Sequence, residues 1–132
     1  MEEDKMTVIL LEPGKLARTA KIGRSLRELQ QIVGGGIEAA YYFPEKVCLV
    51  CNEEGKVCGL PLNRAVYGRR GELLDIIAGT AFICDCQGED FDSLSTEQLA
   101  RYKKRFLYPE YFIRTAEGIM GVPYRPTAER ER

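Results

Sequence analysis

The sequence contains no histidine. Imidazole general bases, histidine nucleophile relays and histidine metal ligands are therefore excluded as a class. No apolar run approaches 18 residues, so no segment reads as a membrane span. Neither sign of charge is in excess, since 19 Lys and Arg face 20 Asp and Glu for a net charge of -1. That balance removes any global drive toward phosphate backbones or anionic lipid, and no nucleic-acid or membrane partner is expected. The amino end, MEEDKM, has neither the basic n-region nor the long apolar stretch of a secretory leader, and a cytoplasmic location is expected. No nucleophile motif and no carboxylate cluster at metal-binding spacing is present, so no catalytic residue, metal or cofactor is expected and the protein reads as a non-enzyme.

What is present suits one compact domain. The chain has 132 residues, 45% of them hydrophobic and 30% charged. Area scaling lets about two-thirds of such a chain's surface be buried without covalent help. Thr7 to Leu11 reads as a strand, Glu12-Pro13-Gly14-Lys15 as a turn, and Leu16 to Ile22 as a strand returning antiparallel. Ser25 stands three residues before Glu28, a capping box that predicts a helix carrying Leu26, Leu29, Ile32 and Val33, ended by Gly34, Gly35 and Gly36. Ile37 to Phe43 has strand character, as do Val47 to Cys51 and Lys56 to Leu60 on either side of a polar turn.

After Pro61, Asn63 to Tyr67 reads as one helical turn and Glu72 to Ile77 as helical or extended. Gly79 to Cys86 reads as the last strand, and Ser95 with Gln98 caps a second helix. The sum predicts an α+β fold: a mostly antiparallel sheet with a β-β-α-β, β-grasp-like opening and a C-terminal helix. Residues 1–108 form a single domain, and 109–132 are expected to be a tail, partly extended or disordered, frayed at Ala128 to Arg132.

The five cysteines are an odd number in an apparently cytosolic chain, where reduced thiols are the rule. Cys48-x-x-Cys51 and Cys84-x-Cys86 could together offer four thiolates to zinc. On strands, however, an offset of three sends Cys48 and Cys51 to opposite faces, while Cys84 and Cys86 share one. Inert buried or half-buried thiols are expected.

Asn63-Arg64, directly after Gly59-Leu60-Pro61-Leu62, is the most informative pair. An amide beside a planar guanidinium can recognise a phosphate, a carboxylate or a base edge. The same residues could equally be a helix N-cap and a surface ion-pair partner. Asn52 either shapes its turn or points to the same site. Tyr41 and Tyr42 are consecutive on an expected strand, so one faces the core and the other is free to stack on a ring. Gly35 and Gly36 serve a tight crossover or let a ligand approach the backbone. Thr80 caps a turn or binds the same ligand. Arg69 and Arg70 read as a solvated loop, and Glu53 and Glu54 as a solvated tip.

The segments ILLEPGK, SLRELQQIVGGGIEA, LVCNEEGKVCGLPLNRAV and DIIAGTAFIC, in that order and spacing, resemble the domain of unknown function 3846 family. The likeness runs from about Val8 to about Phe106, and NEEGK with GLPLNR is its most specific part. It assigns no activity. It implies a small accessory protein of phages and other mobile genetic elements, a class that commonly opposes host defence. Joined to the residue reading, it leads to the expectation of a ligand-binding protein that sequesters a small anionic ligand, a nucleotide-type immune signal, through Asn63, Arg64, Asn52, Tyr41, Tyr42, Gly35, Gly36 and Thr80. A homodimer would suit that role. The alternative is a protein-interaction module that inhibits a host defence protein directly, through the segment from Tyr108 to Tyr124.

Overall fold

The computed structural model describes residues 4–127. The elements are β1 (Lys5–Leu11), β2 (Arg18–Gly23), α1 (Leu26–Val33), β3 (Ile37–Ala40), β4 (Val47–Asn52), β5 (Leu62–Tyr67), β6 (Leu73–Ala78), β7 (Ala81–Asp85), α2 (Thr96–Arg105), β8 (Glu110–Thr115) and β9 (Gly118–Pro123). The class is α+β, and the chain opens β-β-α-β. A five-stranded sheet in the order β2-β1-β7-β4-β3 is antiparallel at every pairing, and β5-β6 and β8-β9 form two separate hairpins.

The central strands are apolar throughout because both faces of the sheet are covered. Alternation sends Val8, Leu10, Cys48, Val50, Phe82 and Cys84 to one face, where Leu29 and Val33 of α1 pack. Ile9, Leu11, Val47, Leu49, Ala81 and Ile83 go to the other, against Tyr102 of α2, Phe106 at its end, and Val66 and Ile77 of the β5-β6 hairpin. Cys48 and Cys51 therefore lie on opposite faces and Cys84 and Cys86 on one, as their spacing implied.

Both helices begin as local chemistry dictates. Ser25 Oγ accepts from the Glu28 amide at 3.1 Å while the Glu28 side chain reaches back to the Ser25 amide, and Ser95 with Gln98 repeats the arrangement. Gly34 ends α1 at φ +81°, a left-handed conformation that costs a glycine little.

Four segments differ from expectation. Asn63 to Tyr67 is a strand, β5, because it finds a ladder partner in β6 and buries Ala65 and Val66. Lys56 to Leu60 is a chain of turns rather than a strand, with the Leu60 amide donating back to the Gly55 carbonyl at 2.9 Å. Beyond Pro109, where a tail was expected, β8 and β9 pair over six positions, and the turn between them is closed by the Thr115 hydroxyl on the Gly118 carbonyl at 2.8 Å. The strand expected to reach Phe43 stops at Ala40. The fraying expected at Ala128 to Arg132 lies outside the described residues.

Ser25→Ala and Ser95→Ala should each lower unfolding free energy by about 1 kcal/mol. The two helices lie on opposite faces, so the losses should add in the double variant when measured by urea denaturation.

Candidate functional site

Asn63 and Arg64 are 1% and 0% exposed, which overturns their reading as a surface cap and ion pair. Consecutive strand residues normally point to opposite sides. Here a register shift between Leu62 and Arg64 inserts Asn63 as an extra residue, and the bulge lets both side chains turn inward. Asn63 Nδ2 donates to the Leu11 and Gly79 carbonyls at 2.9 and 2.8 Å, and its Oδ1 accepts from Arg64 Nη1 at 2.8 Å. Arg64 Nε donates to the Phe106 carbonyl at 2.9 Å, Nη2 to the Lys15 carbonyl at 2.7 Å and Nη1 also to the Glu12 carbonyl at 3.4 Å. With these partners the pair reads main chain, and it presents no open fork to a phosphate.

Arg64 has no carboxylate within salt-bridge distance among the described residues. Burial pushes its pKa down to about 10, opposed by the Glu110 carboxylate, so the guanidinium stays protonated at neutral pH. One of its acceptors is the carbonyl of Phe106, the C-cap of α2, where a cation is favoured. The others hold the β1-β2 turn. A single side chain thus ties β5, that turn and the end of α2 together.

The remaining residues predicted to bind ligand do not gather around this pair. Asn52 Nδ2 donates to the Val33 carbonyl at 3.1 Å and its Oδ1 accepts from the Glu54 amide at 2.7 Å, so it closes the end of α1 and its own turn. A Cβ at Gly35 would stand 2.7 Å from Asn52 Nδ2, and one at Gly36 would strike the Glu53 carboxylate. The glycines make room for that turn. Tyr41 is 69% exposed, whereas Tyr42 donates to Asp75 Oδ2 at 2.5 Å and Lys56 to Asp75 Oδ1 at 2.5 Å. Burial and the Asp75 carboxylate together hold the Tyr42 phenol protonated well above its ordinary range. Thr80 borders a different hollow of about 430 Å³ with Pro13 and Pro61.

Cys48, Cys51, Cys84 and Cys86 are packing, whereas Cys58 stands exposed in the turns after β4, which corrects the expectation of a buried or half-buried thiol there. Cys48 and Cys84 face each other across β4 and β7 with sulfurs 3.8 Å apart. Burial pushes Cys51 and Cys86 up to about 11, which keeps both as thiols at neutral pH.

A large concavity was not legible in the sequence. It has a volume of about 990 Å³ and lies between the β1-β2 turn, the end of α2 and the segment after β9. Among the described residues, Lys15, Arg18 and Lys103 line it against one acid, Glu12. Glu12 meets Arg18 at 3.3 Å and Lys15 only at 3.9 Å, and Lys103 has no ion-pair partner among the described residues. Tyr124 forms an aromatic wall, its ring stacked on Tyr111 at 4.0 Å and 16°. Directly behind the turn sits the buried Arg64 charge, bonded to the Glu12 and Lys15 carbonyls. Each contribution to the groove is a short fragment in the chain: the EPGK turn and the strand after it were read as local structure, and Tyr124 as the end of a segment suited to a protein partner.

Removing the Arg64 guanidinium leaves main-chain carbonyls unsatisfied and a large void, so Arg64→Ala should cost on the order of 3 kcal/mol or more. Arg64→Lys should recover little of it, because an ammonium lacks the planar fork; urea denaturation of both variants checks this. Glu110 behaves oppositely. Its carboxylate accepts from the Ala65 amide at 2.9 Å, yet burial raises its pKa against the opposing pull of that amide and Arg64. Because the folded value is the higher one, the folded state favours the protonated form, and stability from this group declines as pH rises through that value. Glu110→Gln, which mimics the protonated acid, should therefore be more stable than wild type at pH 7 and lose that advantage at pH 4, read from thermal midpoints.

No curated protein and no solved structure matches this chain. A family model does: residues 6–107 match the family described as Domain of unknown function (DUF3846). The match covers the sheet, both helices and Arg64 with its main-chain acceptors, and stops before the β8-β9 hairpin; this chain belongs to that family.

Proposed function

We propose that this protein binds a small anionic ligand without transforming it, and that in a mobile genetic element it keeps a nucleotide-type immune signal out of circulation. The observation that carries the reading is the groove of about 990 Å³ lined by Lys15, Arg18 and Lys103 with Tyr124 as an aromatic wall. Three cations against one acid set a positive potential in a concavity, where low-dielectric walls focus the field. The lysines can neutralise phosphate, the arginine can offer a bidentate fork, and a tyrosine ring supports stacking of a base. Ligand contact therefore falls to these side chains. Asn63 and Arg64 act from behind, holding the turn that presents Lys15 and adding a positive charge beneath it.

Sequestration needs affinity and abundance but no bond-making. A signal bound in such a groove is removed from its receptor by mass action alone.

Calorimetric titration of the full chain against cyclic and linear nucleotides, including adenine-dinucleotide derivatives, tests the reading. At least one should bind, more weakly as salt rises, and be recovered chemically unchanged. Lys103→Glu should weaken that binding by about tenfold or more while leaving the thermal midpoint in place, since Lys103 is exposed. Absence of both heat and thermal shift across the panel would overturn the proposal and favour direct inhibition of a defence protein. A ligand returned chemically altered would show an enzyme instead.

A further inference from the structure

We propose that the outer face of the β8-β9 hairpin is an interface between two copies of this chain, packed antiparallel about a two-fold axis. The inference does not depend on the anion groove.

The register of the hairpin sorts its residues into two faces. Phe112 opposite Gly121, together with Glu110, turns toward β5. There the Ala65 amide donates to Glu110 at 2.9 Å and the Gly121 amide to the Tyr67 hydroxyl at 3.3 Å. The outer face carries Tyr111 opposite Val122 and Ile113 opposite Met120, with Thr115 opposite Gly118 at its end. A hairpin packed on one side should alternate apolar inward with polar outward. This one does not: Tyr111, Ile113, Met120 and Val122 are 52%, 47%, 48% and 38% exposed. The hairpin also lies beyond residues 6–107, the span that matches the family model.

The chemistry of the face selects its occupant. Among the described residues no charged side chain projects from it, but its two ends carry unlike charges: Glu117 in the turn at the tip and, just past β9 at the base, Arg125, whose guanidinium lies over the Tyr108 ring and donates to its hydroxyl at 3.0 Å, both residues exposed. An antiparallel two-fold arrangement lays each tip over the other copy's base and forms the Glu117–Arg125 pairing twice, which an isologous contact requires. The four apolar side chains offer roughly 400 Å². That is about half of the ~800 Å² per partner of a standard interface. The contact fits a weak, reversible dimer.

Sedimentation velocity on the full chain, from about 1 to about 200 µM, reads the assembly directly. The wild type should shift from monomer to dimer. Ile113→Thr combined with Met120→Lys should stay monomeric throughout with a thermal midpoint close to wild type, because neither side chain packs inward and no like charges face each other across the ladder. Glu117→Arg should weaken the dimer about tenfold, and adding Arg125→Glu should restore it. A wild type that is monomeric at every concentration overturns the proposal and leaves the face to a foreign protein. A dimer indifferent to the face variants places the interface elsewhere and overturns it equally. Loss on the face variants with no response to charge exchange would overturn the antiparallel arrangement.

Discussion

A guanidinium buried on main-chain carbonyls organises this molecule. Arg64 is fully buried and donates to the carbonyls of Glu12, Lys15 and Phe106 and to the Asn63 side chain. A charge in that position is tolerable because each of its three nitrogens donates to an oxygen, and because the carbonyls at a helix end carry partial negative charge. It joins segments that the sheet alone leaves separate: the β1-β2 turn, the β5-β6 hairpin and the end of α2. Asn63 completes the junction by bonding the Leu11 and Gly79 carbonyls, at the ends of β1 and of the β6-β7 turn.

The groove is a consequence of that junction. Its basic wall is the turn that Arg64 holds, its floor is closed by the Ala17 amide on the Leu107 carbonyl at 2.9 Å, and its aromatic side arrives with the hairpin after α2. The buried charge and the exposed cations reinforce one another, since the field of Arg64 is poorly screened on its protein side. The same residue thus supports the fold and, on the proposed reading, biases the groove toward anions from behind its basic wall.

The two-sided sheet explains why the rest of the chain has few polar demands inside. β1, β4 and β7 are covered on both faces, and the cysteines fill small apolar positions there. Polar chemistry is displaced to the periphery, where Tyr42, Asp75 and Lys56 form one cluster and Glu45, Tyr102 and Arg101 another. In the second, the Tyr102 hydroxyl is the main influence that holds the Glu45 carboxyl below its usual range. Both are carboxylates stitched to a phenol and a cation, and each fixes a loop against a neighbouring element.

What the sequence by itself determined were the features whose partners lie within a few residues. Ser25 and Glu28, and Ser95 and Gln98, are three apart, so both helix starts were legible; the parity of Cys48, Cys51, Cys84 and Cys86 placed their side chains because alternation is a local property. The class of the fold followed from the same local signals. Tertiary structure decided the rest. Asn63 and Arg64 looked like a surface recognition pair because their donors are equally suited to a ligand and to a carbonyl, and a one-residue bulge against β6 turned both inward. Their acceptors come from Leu11, Glu12, Lys15 and Phe106, about 40 to 50 residues away, where no local pattern announces them. The groove was hidden for the same reason: its cations and its tyrosine are scattered along the chain, and only the packing of three distant segments makes them neighbours.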